Sequence, residues 1–261
     1  MIGDYGLAGP AEADVAALVK NWQPDIILTL GDNNYPSGSA ATIDQNIGQY
    51  YHAFIGEYRG EYGTGSAINR FFPTLGNHDW QSPNAAPYLE YFTLPGNERY
   101  YTTTWGPIRL FALDSTLDEP DGVTADSVQA AWLQQELTQS TACWNIVYMH
   151  HPPFSSGLHG SSPWMQWPYQ RWGADVVLAG HDHHYERIIR DNVPYFVNGL
   201  GGASRYRVGE QVPGSAIRYN AKHGAMLIEA TTSELSFRFI AHTGETIDTY
   251  RRTKTCTTNG G

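Results

Sequence analysis

Five short apolar runs in this chain each stop at a cluster of polar side chains. Ile2 leads into GDYG (Gly3–Gly6), DIILTL into GDNNY (Gly31–Tyr35) and FFPTL into GNHD (Gly76–Asp79). WNIVYM leads into HHPPFSSGLHG (His150–Gly160), and DVVLA into GHDHHYER (Gly180–Arg187). A continuous apolar run such as DIILTL is typical of a strand covered on both faces. In α/β folds, ligands gather outside the carboxyl ends of the strands. Clusters far apart in sequence can therefore converge in space.

Helical patterns lie between the runs. AEADVAALVKNW (Ala11–Trp22) and DSVQAAWLQQEL (Asp126–Leu137) carry apolar residues at helical spacing. Thr42 followed by Gln45 fits a capping box that opens a helix over TIDQNIGQYYHAFI. A further helix is expected near Trp164–Trp172. IRLFALD (Ile108–Asp114) reads as a strand, and VPYFVNG, AMLIEAT, LSFRFIA and TIDTYR as later short ones. This alternation argues for an α/β class, and the strand-rich final third for mixed sheets. We expect one domain over 1–252 and a loose tail over 253–261.

The 261 residues carry a formal charge of −10, with Lys20, Lys222 and Lys254 as the lysines. Such a surface disfavours nucleic acid polymers, which need cations to displace phosphate counterions. A small anionic substrate stays compatible if metal ions supply local positive charge. No apolar stretch approaches membrane-spanning length, so no membrane insertion is expected. Cys143 and Cys256 stand in no metal-binding spacing, which leaves a disulfide and two free thiols both open.

Seven of the 10 histidines (His78, His150, His151, His159, His181, His183 and His184) fall in these clusters. Together with Asp, Asn and Tyr they suit metals of hard to intermediate character. The lack of ligating cysteines argues against a structural zinc site. His181 and His183 would share one side of an extended segment. Alone, GDYG and GNHD read as turns, His150 and His151 as a satisfied core pair and GHDH, the strongest single signal, as a polar loop; five of them at five strand ends carry far more weight. In GDNNYPSG the turn accounts for Asp, Asn, Pro and Gly, but it does not ask for Tyr35.

The series GD-x-G, GD-x-x-Y, GNH-[DE], V-x-x-H and GH-x-H resembles the calcineurin-like metallophosphoesterases of the purple acid phosphatase type. It stands here as GDYG, GDNNY, GNHD, VYMH (Val147–His150) and GHDH. The resemblance implies a four-layer α/β/β/α sandwich of two mixed sheets. The first strand should be nearly missing, because only Met1 and Ile2 precede Gly3. Two metal ions are implied, one on Asp4, Tyr35 and His183, the other on Asn77, His150 and His181, with Asp32 bridging. Other metallophosphoesterases carry a His in the first motif where Gly6 stands here. Tyr35 is implied to replace it as a phenolate on Fe(III), with Fe(II), Zn(II) or Mn(II) as the other ion.

The resemblance also implies catalytic roles for His78, at the substrate phosphate, and for His159, as proton donor to the leaving group. The implied reaction is hydrolysis of small phosphate monoesters by attack of a metal-bound hydroxide. The implied location is extracellular or periplasmic. Alternatives are a phosphodiesterase or nucleotide-cleaving enzyme with the same core, or a non-catalytic binding module of a larger surface protein. His151 and His184 read as residues that orient the neighbouring ligands or wall the pocket, and Arg187 as a loop brace. NGLGGASRY (Asn198–Tyr206) could bring Arg205 or Tyr206 near the substrate.

Overall fold

Twelve strands and six helices follow one another in the computed structural model, which describes residues 1–256. The first half holds α1 (Pro10–Asn21), β1 (Ile27–Leu28), α2 (Gln49–Tyr51), β2 (Phe71–Phe72), α3 (Asn77–Trp80), α4 (Ala86–Tyr91), β3 (Tyr101–Trp105), β4 (Ile108–Ala112) and α5 (Val128–Thr138). Next come β5 (Trp144–Tyr148), α6 (Tyr169–Trp172), β6 (Val176–Ala179), β7 (Tyr185–Arg190) and β8 (Val193–Asn198). The chain continues through β9 (Ser215–Tyr219), β10 (Gly224–Ala230), β11 (Glu234–Ala241) and β12 (Thr246–Thr253).

The larger sheet has seven strands in the order β3-β4-β5-β6-β8-β7-β9. Its centre, β4 to β8, is parallel, and its edges are antiparallel. Strand periodicity sends alternate residues to opposite faces. Leu110, Ala112, Ile146, Tyr148, Val176 and Leu178 therefore enter the core between the sheets. Phe111, Leu113, Val147, Met149, Val177 and Ala179 enter a second core, which α5 closes with Ala130, Leu133 and Leu137.

The other sheet is assembled from pieces. β1 pairs with β2 in parallel, and Ile2 bridges Thr29 in parallel. The Met1 amine donates to the Met226 carbonyl at 2.8 Å, and the Met226 amide donates back to Met1 at 3.0 Å. That joins the antiparallel β10-β11-β12 to the rest. α1 covers the outer face with Val15, Ala16 and Val19. The four-layer α/β/β/α arrangement is thus present, with its first strand reduced to one bridge at Ile2.

Several elements differ from the sequence reading. β1 and β2 are shorter than the runs that contain them; Pro73 lacks the N–H to continue β2. The segment after Thr42 is not one regular helix. Asp44–Gly48 is a π-turn, followed by α2 and a 3-10 turn over His52–Phe54. The Thr42 hydroxyl donates to Asn34 Oδ1 instead of capping. Near Trp164 a 3-10 turn over Pro163–Met165 and the short α6 replace a single helix, with Pro168 between them. β3, β7 and β9 are strands beyond those the sequence pattern predicts. The tail is held as far as Cys256: Thr253 pairs with Glu234, Lys254 bonds Asp175, and Cys256 is disulfide-bonded to Cys143. Residues 257–261 of the expected loose tail lie outside the described residues.

Candidate metal centre

Each carboxylate in the cleft divides its two oxygens between backbone and centre. Asp4 Oδ2 accepts the His181 amide at 2.8 Å, which leaves Oδ1 facing inward. Asp32 Oδ1 accepts the His78 amide at 2.8 Å, which leaves Oδ2 facing inward. Both aspartates and His181 have φ in the left-handed region, 54°, 51° and 68°. Non-glycine residues seldom adopt it, and such strain collects at functional sites.

Four ligand atoms meet around Tyr35. Its hydroxyl lies 3.3 Å from Asp4 Oδ1, 3.0 Å from Asp32 Oδ2 and 3.3 Å from His183 Nε2. A second group forms around His150 Nε2. Asp32 Oδ2 lies at 3.4 Å, Asn77 Oδ1 at 3.1 Å and His181 Nδ1 at 3.2 Å. Asp32 Oδ2 belongs to both groups.

The chemistry of this donor set fits cations. His150 Nδ1 lies 2.7 Å from the Leu30 carbonyl, and His183 Nδ1 bonds the Ser204 carbonyl. A carbonyl only accepts, so both Nδ1 atoms carry protons, and each ring when neutral aims its Nε2 lone pair inward. The first group then has one phenolic proton among four donor atoms, and the second has none. Without ions, protons take up the difference. Burial and then the charges of Asp32 and Asp4 push the Tyr35 phenol well above its ordinary value. Burial would lower His150, but Asp32 beside it raises it to about 10. Burial and then the charge on His150 push His181 far down, so His181 keeps a free lone pair.

The seven residues expected from the sequence to hold metal, Asp4, Asp32, Tyr35, Asn77, His150, His181 and His183, all lie in the two groups. His181 and His183 do so by a different route from strand periodicity. The left-handed turn at His181 sends the two rings to different groups. Gly6 accounts for the absent first-motif histidine: a Cβ there would lie 1.7 Å from the Asn33 carbonyl oxygen.

His78 and His159 flank the centre. His78 Nε2 lies 3.9 Å from Asp32 Oδ2, and its ring 4.5 Å from the Tyr35 ring. The exposed His159 ring lies 4.4 Å from the His181 ring. His151 packs between His181 and Trp164, with Nδ1 3.0 Å from the Ser115 hydroxyl. His184 instead pairs with Glu186 at 3.0 Å. Arg187 braces Asp248, and Arg205 turns to the backbone carbonyls of Asn220 and Ala221. Tyr206 stacks on His183 at 4.0 Å.

Residues outside the motif roles hold the loops. Asp79 accepts from the Gly76 amide at 2.9 Å and the Asn33 side chain at 2.9 Å, tying two ligand loops together. Asp182 does the same for the His159 loop. Their signal was an acid beside a motif histidine, which turn chemistry alone also explains.

Residues 4–185 match the family model for calcineurin-like phosphoesterases. The chain belongs to the calcineurin-like phosphoesterase family. It is similar to purple acid phosphatase 4 of Arabidopsis thaliana, 24% identical over 97% of this chain and 83% of the relative. It is 20% identical to the tartrate-resistant acid phosphatase type 5 of Homo sapiens, over 90% of this chain and 81% of the relative. Among solved structures, the lupin purple acid phosphatase PPD1 shares the fold with a TM-score of 0.81. That match has 19% identity and covers 97% of this chain and 53% of that one. GAP50, the anchor in the inner membrane complex of Plasmodium, shares it at 0.76, with 19% identity over 97% and 88% of the two chains. This calcineurin-like phosphoesterase is a metal-dependent phosphoric ester hydrolase, and its family implies a dinuclear metal centre. No helix among the described residues is long and apolar enough to cross a membrane.

Proposed function

We propose that this phosphoesterase hydrolyses small phosphate monoesters at two metal ions that share Asp32. The carrying observation is that Asp32 Oδ2 stands in both ligand groups. Asp4, Tyr35 and His183 would complete one site, and Asn77, His150 and His181 the other. Ions bound there supply Lewis-acid stabilisation of phosphoryl oxygens and activation of water. The Tyr35 site would suit Fe(III), whose high charge favours the phenolate of a phenol buried beside two carboxylates. The other site, with imidazoles and an amide oxygen, suits Fe(II), Zn(II) or Mn(II).

The chain's own groups do the rest. Backbone N–H bonds lock Asp4 and Asp32, and backbone carbonyls lock His150 and His183. His78, whose Nδ1 bonds the Pro36 carbonyl, presents Nε2 beside Asp32, where its imidazolium form would donate to a phosphoryl oxygen. His159 stands on the solvent side of His181, where it can protonate the leaving oxygen. His151, Trp164 and Tyr206 wall the cleft.

The acid phosphatase names of the relatives support monoesters over diesters. The partner would be a small ester, with no nucleic acid polymer. The Cys143–Cys256 disulfide supports an oxidising, exported location.

The test is a visible spectrum and metal analysis of the purified protein and its Tyr35→Phe variant, with nitrophenyl phosphate and the bis ester as substrates. Two ions per chain, a visible band lost in the variant, and faster monoester cleavage are expected. A colourless protein with two divalent ions removes the ferric assignment. Faster cleavage of the bis ester removes the monoester reading.

A further inference from the structure

Two buried carboxylates after β6, Asp182 and Glu186, bond to the loop that carries His159. Asp182 Oδ1 accepts the His159 amide N–H at 2.8 Å, and Oδ2 accepts the Ser155 hydroxyl. The Ser155 oxygen in turn accepts the Gly157 amide at 2.9 Å. No side chain fits at Gly157, where a Cβ would lie 2.2 Å from the Asp182 carboxyl carbon. Glu186 grips the neighbouring residue, accepting the Ser156 amide at 2.7 Å and the Ser156 hydroxyl at 2.6 Å.

The consequence falls on His159. Its side chain is exposed, and Leu158 beside it is 66% exposed. Gly157 and Gly160 flank the pair, so local packing does little to fix the backbone. The hydrogen bond at its own amide does. Asp182 sits between His181 and His183, so one short segment positions two ligand-group rings and the backbone of His159.

We propose that Asp182 is a positioning residue that registers His159 against the metal centre, so that its imidazole meets the leaving-group oxygen. This rests on His159 being the proton donor. Outer-sphere partners that orient reacting groups are commonly worth about 10- to 100-fold in activity.

The experiment compares wild type, D182A, D182N, H159A and the H159A/D182A double variant. Each is assayed for bound metal and for kcat on nitrophenyl phosphate and on an alkyl phosphate. D182A should keep two ions per chain. It should lose about 10- to 100-fold on the alkyl ester, whose leaving group needs a proton, and much less on nitrophenyl phosphate. D182N keeps an acceptor oxygen for the His159 amide and should recover most of the loss. The double variant should be no worse than H159A, because the two residues act as one unit. Equal losses on both esters, loss of metal, or additive losses would overturn the proposal. Should D182A fail to fold, S155A removes one of the two contacts and should show the same substrate pattern at smaller size; equal losses there also overturn it.

Amide hydrogen exchange separates this proposal from the functional reading. If metal-loaded wild type cleaves neither ester, the proposed function fails. The His159 amide should still exchange faster in D182A than in D182N, and equal rates would overturn the positioning role.

Discussion

At the scale of single residues, the centre is an excess of lone pairs held in place by backbone contacts. The Asp32–His150 pair shows what happens when ions are removed. Burial would raise Asp32, but the facing His150 and His78 hold it well below the usual carboxylate range. Burial would lower His150, but Asp32 raises it to about 10. The raised imidazole contributes stability fully below its unfolded value of about 6.5, and this is lost as pH climbs toward 10. The depressed carboxylate contributes above its unfolded value of about 3.9, and this is lost as pH falls through its folded value. Metal-stripped protein should therefore show a Tm that falls between neutral pH and pH ~10; a flat Tm over that range would contradict the ion pair. Under the proposed function, loaded protein should respond in the opposite sense, binding metal more weakly as pH falls, because a ligating His150 would have to be neutral. His159→Ala should slow alkyl phosphates more than nitrophenyl phosphate, as expected for loss of a proton donor. Equal slowing would remove that role.

At the scale of elements, the junctions between strand and loop matter more than the strands. Gly31 has φ 81°, and a Cβ there would lie 2.6 Å from His150 Nδ1. Gly31→Ala should displace the His150 ring and lower bound metal and activity by about tenfold or more, as loss of a ligand-orienting contact does. Full metal content in that variant would show that the ring can yield. α5 offers a control far from the chemistry. Ser127 caps it by accepting the Ala130 amide at 3.1 Å. Ser127→Ala should cost about 1 kcal/mol in a denaturant titration and leave kcat unchanged. The expected helix after Thr42 breaks up because its own polar groups have stronger claims elsewhere. Asn46 donates to Asn34 and to the Tyr35 carbonyl, bracing the Tyr35 loop, and Asp44 binds Tyr58 and Tyr91. The capping pattern was local, whereas these partners come from other parts of the chain.

At the scale of the whole molecule, Cys143 and Cys256 join the start of β5 to the segment beyond β12, across 113 residues. Closing so long a loop restricts the unfolded chain strongly, and loss of such a bond typically costs about 2–5 kcal/mol. His150 follows the opposite end of β5, roughly 20 Å from Cys143 at about 3.3 Å per strand residue. Cys143→Ser should accordingly lower the Tm while leaving the metal content of the folded protein unchanged. Loss of metal at temperatures well below the new Tm would show that the disulfide also shapes the site.

The sequence by itself determined which side chains could serve as ligands and that they stand at strand ends. A carboxylate, phenol or imidazole beside a glycine turn is a local property, and five such clusters at five strand ends leave little other architecture. It did not determine which atom of each ligand faces inward. That depends on the Leu30 and Ser204 carbonyls and the His78 and His181 amides, which long-range folding brings into place. The strands β3, β7 and β9 are not legible in the sequence because their polar composition hides the period, and neighbours in the sheet make the pairing. The seat of Met1 and Ile2 likewise rests on partners at Leu28 and Met226, far along the chain. Local chemistry supplied the candidate ligands; long-range hydrogen bonding, which no window of sequence contains, oriented them.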